Sequence, residues 1–398
     1  MNPIILDWLG LFLRWTHVML GIGWIGTSFF FVWLDASLRA NPAAPKDLAG
    51  DSWMVHGGGF YHAQKYLVAP ETLPKELHWF KYEAYLTWVS GFLLLGLVYY
   101  LGAKEFLIDP AIMELAPSQA IGFSIASLVA GWLIYDALCR SPLIRHTGAL
   151  ATMVFLLAVI AAYTYTHVFS GRAAFIHIGA FLGTIMAANV FLVIIPNQRK
   201  VVADLLAGRA PDPALGQQAK QRSLHNNYLT LPVVLTMVSN HYPMLYDPAI
   251  SWIYAVGIIV IGGLLRLYAN ATHAGRGGNR IDWLLVYAAG VVVALVMFSI
   301  EISSRNGAAL TAGPPASLAE VVPIIQNRCV SCHSASPSDA GFRTPPKGII
   351  FDTPEQIETY ASQILRVTVR STAMPLGNRT GMMPEERAIL GRWATSVD

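Results

Sequence analysis

Residues 175–195 read Phe-Ile-His-Ile-Gly-Ala-Phe-Leu-Gly-Thr-Ile-Met-Ala-Ala-Asn-Val-Phe-Leu-Val-Ile-Ile, without one Asp, Glu, Lys or Arg. A helix needs about 20 mostly apolar residues to cross a bilayer, and this run supplies them. Comparable runs occupy 9–34, 79–102, 120–138, 150–169, 228–240 with the helical residues before it, 250–269 and 283–302. The stretch at 228–240 is the weakest, being short and interrupted by Pro232. An all-α polytopic membrane bundle of about eight transmembrane helices is expected. Composition agrees: the 398 residues are 54% hydrophobic and only 13% charged, against about 25% charged in a soluble domain. The charge deficit ends near residue 302, and 316–398 reads as a small soluble domain. We expect an integral membrane domain over 1–305, a Gly/Pro/Ala-containing linker over 306–315 and a soluble domain over 316–398. The first apolar run is too long for a cleavable signal peptide and lacks a small-residue cleavage site after it. No internal repeat stands out.

Orientation follows from Lys and Arg in the short loops. Arg39, Lys46, Lys65 and Lys75 follow the first run, Arg140 and Arg145 the third, Arg199, Lys200, Arg209, Lys220 and Arg222 the fifth, and Arg276 and Arg280 the seventh. The alternate loops are poorer: 104–117 has three acids against one Lys, and 240–249 has neither Lys nor Arg. Both termini are therefore expected outside a bacterial inner membrane, with the soluble domain in the periplasm. The net charge of +3 comes with no basic block, so nucleic acid is not an expected partner.

The soluble domain carries Cys329-Val-Ser-Cys332-His333, the C-x-x-C-H pattern of covalent haem attachment. Each thiol adds to a haem vinyl group, and the adjacent imidazole becomes the proximal iron ligand. A zinc or thioredoxin-like reading would need a second ligand pair or a redox-fold pattern, and neither is present. Met374, before Pro375, is the expected distal ligand; Met382 and Met383 compete but abut the first turn of the last helix. Ser317-Leu-Ala-Glu320 is a capping box opening the domain's first helix. Terminal helices around one haem c make this a small class I-like cytochrome c domain. It also agrees with the loop charges, since bacteria attach c-type haem in the periplasm.

The remaining histidines sort by side. His17, His167, His177 and His241 belong to the periplasmic half, and His56, His62, His78, His146, His225 and His273 to the cytoplasmic half. His17 and His177 lie within apolar runs, where an ionisable group is a functional candidate. With Arg14 one turn from His17 to meet a propionate, they are candidate ligands of a further b-type haem; the alternative is that they bond to neighbouring helices. On the cytoplasmic side, His56-Gly-Gly-Gly-Phe-Tyr-His62-Ala-Gln-Lys65 forms a glycine-rich loop, and Arg222-Ser-Leu-His225-Asn226-Asn227-Tyr-Leu-Thr230 opens the sixth helix. Such groups suit the edge of a polar heterocycle, with aromatic rings stacked on its faces. The competing reading is a solvated cytoplasmic loop.

These strings resemble one family, the bacterial membrane-bound urate oxidases (urate hydroxylases) fused to a C-terminal cytochrome c. The resemblance rests on Trp15-Thr-His17-Val-Met-Leu-Gly-Ile-Gly-Trp24-Ile-Gly, on His56-Gly-Gly-Gly-Phe-Tyr, on His225-Asn-Asn-Tyr-Leu-Thr-Leu-Pro and on Ser239-Asn-His241-Tyr-Pro. It covers essentially the whole chain. The first helix is also similar, over a shorter stretch, to that of membrane protoporphyrinogen oxidases, where a His in this context serves a haem. The resemblance implies oxidation of urate to 5-hydroxyisourate, with electrons passed through haem to cytochrome c and no hydrogen peroxide formed. His56, His62, Lys65 and His225 are then the candidate bases, and Arg222, Asn226, Asn227 and Thr230 the candidate substrate-binding residues. The expected partners are urate, the lipid bilayer, and a downstream cytochrome c or terminal oxidase, with a homo-oligomer left open. A quinol-linked subunit of a respiratory complex, and a transporter or sensor with a haem-bearing tail, are the competing classes.

Overall fold

The computed structural model describes residues 3–40, 45, 47–70, 73–246, 250–275, 278–339 and 341–397. Lys46 and Arg276, counted in the orientation argument, lie outside them. The chain is mostly helical. Helix α1 (Pro3–Ser37) leads into an antiparallel hairpin, β1 (Leu48–His56) and β2 (Gly59–Tyr66), followed by α2 (Tyr82–Leu95), α3 (Pro117–Arg140) and α4 (Thr147–Thr166). Next come α5 (Gly171–Ala188), α6 (Ile195–Leu206), α7 (Pro213–Val238), the single turn α8 (Pro243–Tyr246), α9 (Ser251–His273) and α10 (Asn279–Thr311). The C-terminal domain holds α11 (Leu318–Arg328), the short α12 (Pro354–Thr359) and α13 (Ala361–Ile364), and α14 (Pro384–Val397).

Six helices among the described residues are long and apolar enough to cross a membrane: Ile4–Ser37, Pro117–Arg140, Thr147–Thr166, Gly171–Leu206, Ser251–His273 and Ile281–Thr311. This is compatible with a multi-pass membrane protein, and it is two fewer than the eight expected. The two short of that measure have identifiable causes. Regular α2 covers only 14 residues before a π-turn takes over at Gly96–Tyr100. The 26-residue α7 is long enough but holds Lys220, Arg222, Asn226 and Asn227. Between α5 and α6 the chain stays helical through a π-turn at Asn189–Ile194, which accommodates Pro196. A proline cannot donate to the preceding turn, and widening the helix relieves the conflict.

Two features depart from the sequence reading. The glycine-rich stretch after His56 is not a loop but the turn and second strand of the hairpin. Gly57 and Gly58 adopt φ of +57° and +79°, as a two-residue turn between paired strands requires. The last long helix runs to Thr311, through much of the stretch read as linker. There the carbonyl of Leu310 lies 2.7 Å from where a Cβ on Gly391 would stand, so α10 packs directly on α14.

Apolar side chains face outward as well as inward. Trp8, Phe12, Trp15, Met19 and Ile22 on α1 and Val286, Val293, Val296, Met297 and Ile300 on α10 are all exposed. Such a surface is far larger than soluble monomers tolerate. Inside, small residues let the helices close up: a Cβ on Gly131 of α3 would lie 2.0 Å from the Phe181 ring on α5, and one on Gly262 of α9 would lie 2.5 Å from Cδ of Pro232 on α7. The C-terminal domain has its own core, in which Val321 and Ile325 of α11 meet Leu390 and Trp393 of α14 around Ile357. It touches the membrane domain at Arg379, whose guanidinium pairs with Asp339 at 3.0 Å and reaches Glu105 at 3.6 Å.

Replacing Gly131 by Leu should therefore lower stability by about 3 kcal/mol or more through overpacking. Thermal unfolding in detergent measures it. Gly122→Leu, on the same helix with nothing within 4 Å of its Cβ position, should unfold near the wild-type midpoint.

Candidate functional site

Three groups of residues stand out, on the hairpin, on α7 and around a cavity. On the hairpin, Nε2 of His62 donates to Asp51 at 2.9 Å, and its ring stacks on Trp53 at 4.2 Å. Lys65 pairs with Asp35 at the end of α1. His56 stands exposed where the turn begins. These three candidate bases have local partners or face outward, and they are not brought together with the α7 residues.

On α7, Arg222, Asn226 and Thr230 recur at four-residue spacing and share one face. Arg222 is 3% exposed and pairs with Asp136 on α3 at 2.7 Å. Its guanidinium lies over Tyr135 and Trp132, and its Nη1 donates to Oδ1 of Asn189 at 3.4 Å. Nδ2 of Asn189 donates to Asn226 at 2.8 Å and to the Tyr135 hydroxyl at 3.1 Å. Nδ2 of Asn226 donates to the Met186 carbonyl. The Tyr135 hydroxyl lies 2.7 Å from Nδ1 of His225. That hydroxyl also accepts from Asn189, and Nε2 is the imidazole's other polar atom. Asn189 was not expected from the sequence; its only signal was a polar residue inside the run at 175–195. Arg222 and Asn226 are thus held by protein partners. Asn227, one residue further round the helix, faces α9 instead.

Between α1, α2, α5 and α7 lies a cavity of about 550 Å³, within the usual range for small-molecule sites, lined among others by Arg14, His17, Trp88, Thr230, Asn240 and His241. Nδ1 of His17 donates to the Thr87 carbonyl at 3.0 Å with Ser90 Oγ at 3.2 Å, which fixes the tautomer and leaves Nε2 as the free lone pair. Metal-bound histidines are held in this way by their second nitrogen. A Cβ on Gly91 would lie 2.8 Å from Cε1 of His17, so only glycine accommodates this ring position. His17 with Arg14 fits a haem. His177 does not: it is fully buried outside the cavity lining, its Nδ1 donates to Ala173 and its Nε2 accepts from Ser124. Both nitrogens are spent. His241, not among the expected ligands, lines the same cavity as His17; its signal was the Ser239-Asn-His241-Tyr-Pro string.

In the C-terminal domain, the N–H groups of Cys332 and His333 both donate to the Cys329 carbonyl, gathering two thiols and an imidazole on one turn. Both thiols are free, and burial pushes that of Cys329 up to about 12, so it stands protonated rather than as a metal-ligating thiolate. Nδ1 of His333 donates to the Ile349 carbonyl at 3.0 Å, freeing Nε2, and burial lowers its pKa against that bond, favouring the neutral ring. Met382 is buried in the hydrophobic core and Met383 is exposed, while Met374 is half-buried on its loop. This donor set fits a c-type haem. Among the described residues no group of three or more His, Cys, Asp or Glu could hold a bare metal ion.

Asp136→Asn leaves the Arg222 charge buried without its counter-ion, which should cost about 3–5 kcal/mol. Arg140, the other partner of Asp136 and 68% exposed, provides the contrast: Arg140→Gln should cost under about 1 kcal/mol. Thermal unfolding of both variants in detergent tests the difference.

The profile of the family described as urate oxidase N-terminal matches residues 3–300. No curated protein and no solved structure matches the chain. The matched stretch runs from the first residue of α1 to within α10 and includes the hairpin, the α7 network and the cavity; the chain belongs to the urate oxidase N-terminal family.

Proposed function

We propose that this chain oxidises urate to 5-hydroxyisourate in its membrane domain and passes the electrons to its own C-terminal cytochrome c domain rather than to oxygen. The family match over 3–300 carries the urate half of this reading, as urate-related oxidoreductase chemistry. The turn that gathers Cys329, Cys332 and His333 supports the electron route. Urate and water give 5-hydroxyisourate, two protons and two electrons. A haem held by Cys329, Cys332, His333 and Met374, and a b-type haem held by His17 with Arg14 at its carboxylates, supply one-electron acceptance when bound.

The chain's own residues serve binding and proton movement. Of the four candidate bases, His62 has Nε2 held by Asp51 and Nδ1 open to a proton, but it stands on the hairpin apart from the α7 residues. Nδ1 of His225 is bonded to the Tyr135 hydroxyl, which turns this imidazole toward α3. Thr230 lines the cavity, while Arg222 and Asn226 hold the helices in register. Helices α2 and α7 complete an eight-helix domain in the bacterial inner membrane, with the cytochrome domain in the periplasm. A separate cytochrome c or terminal oxidase takes the electrons onward.

Urate added without oxygen to the purified protein should reduce its haem while urate absorbance falls, and aerobic turnover should yield no peroxide. Haem that stays oxidised, or peroxide formed in proportion to urate lost, defeats the proposal. A pyridine haemochrome spectrum should count c and b haems separately. Cys329→Ala with Cys332→Ala should remove the covalent haem, and His17→Ala only the b haem; a wild-type spectrum with c haem alone rules out the membrane haem.

A further inference from the structure

Helix α9 carries a polar stripe that nothing above uses. Arg266, Asn270 and His273, spaced four and then three residues apart, share one face. Arg266 is 6% exposed and sits inside one of the six helices able to cross a membrane. Its Nε donates to Oδ1 of Asn227 on α7 at 3.2 Å, its Nη2 to Oδ1 of Asn270 at 3.1 Å, and the Phe29 ring of α1 covers one face at 3.8 Å. Arg222 is neutralised by Asp136. Arg266 has no carboxylate partner among the described residues. A buried cation without a counter-charge is costly, and inside a membrane helix it marks a functional site.

Asn227 is a second, independent observation. It is fully buried, and its Oδ1 accepts from both Arg266 and Asn270 Nδ2, the latter at 3.0 Å. Those two donors settle which end of the amide is oxygen, so the other end is the nitrogen, and Nδ2 has no partner. Further along the stripe, Nδ1 of His273 is also buried without one. A cation and an unanswered donor together require a ligand that is anionic and rich in acceptors.

We propose that Arg266 and Asn227 bind the urate anion by its carbonyl-bearing edge, an assignment that rests on the urate reading above. The stripe lies about one helical turn beyond the cavity, since Thr230 and Ile25, which line it, are three and four residues from Asn227 and Phe29. At its other end it runs out toward Gly275, where a Cβ would lie 4.0 Å from the Arg39 guanidinium. Arg39 pairs through its backbone with Asp51, the residue that holds His62. The outer end of the stripe thus lies beside the hairpin that carries His62.

The test measures haem reduction by urate, and separately equilibrium dialysis of labelled urate, on the holoenzyme in detergent. Arg266→Gln should raise the half-saturating urate concentration by about 10- to 100-fold, the loss of one charge-assisted contact, with a smaller change in the limiting rate. Asn270→Asp gives Arg266 an internal counter-ion without removing it. That variant should fold at least as well as wild type, judged by its unfolding midpoint and haem spectrum, yet lose urate binding to a similar extent. Unchanged half-saturation in both variants overturns the site, as does displacement of urate by chloride at equal concentration. If urate fails to reduce wild-type haem but dialysis shows binding that Arg266→Gln and Asn270→Asp abolish, the functional reading falls and the anion site stands.

Discussion

The ion pair between Arg222 and Asp136, 2.7 Å across, holds α7 to α3 within the helix bundle. Around it the amides of Asn189 and Asn226 and the hydroxyl of Tyr135 close a network in which each group meets a protein partner. A low-dielectric interior makes such a network specific about geometry, because any broken member leaves a polar group without water. The π-turn at Asn189–Ile194 belongs to this arrangement, since Asn189 is its first residue and joins the two sides of the network. With α7 held there, Thr230 faces the cavity and Asn227, one turn earlier, meets Arg266.

Arg222 and Arg266 thus separate into two kinds of buried charge. One is balanced within the fold and serves packing. The other is surrounded by amides and an aromatic ring that share its charge without cancelling it. Where a bundle excludes water, the unbalanced cation is the one with attraction left for a ligand. The same distinction applies to the histidines: His177 has both nitrogens bonded, whereas His17 has one held by a backbone carbonyl and one left over.

The two domains are coupled more closely than a flexible tether would allow. Helix α10 extends without a break to Thr311 and packs its end on α14. Arg379 joins Asp339 within the C-terminal domain to Glu105 of the membrane domain. That contact lies beside the turns holding Tyr99, which Asn240 of the cavity wall also meets. The C-terminal domain and the His17 cavity consequently both lie near the turns that hold Tyr99 and Glu105.

The apolar runs, the C-x-x-C-H pattern and the family strings were legible in residue order, because hydropathy, covalent spacing and local motifs are properties of neighbours along the chain. Six of the eight expected spans came from that source. It misjudged the glycines after His56, where a positive φ serves a turn, and it could not see that α10 continues where Gly307 and its neighbours suggested a break. It also could not rank buried polar residues, since Arg222 and Arg266 are alike as letters. Their difference depends on whether a carboxylate on another helix arrives within reach, as Asp136 does for one and no described residue does for the other. Residue order determined a set of helices long and apolar enough to cross a membrane and the place of the C-x-x-C-H motif after them. Tertiary contact alone decided which of the buried charges and imidazoles were satisfied, because satisfaction inside a water-excluding bundle is a matter of distance between helices.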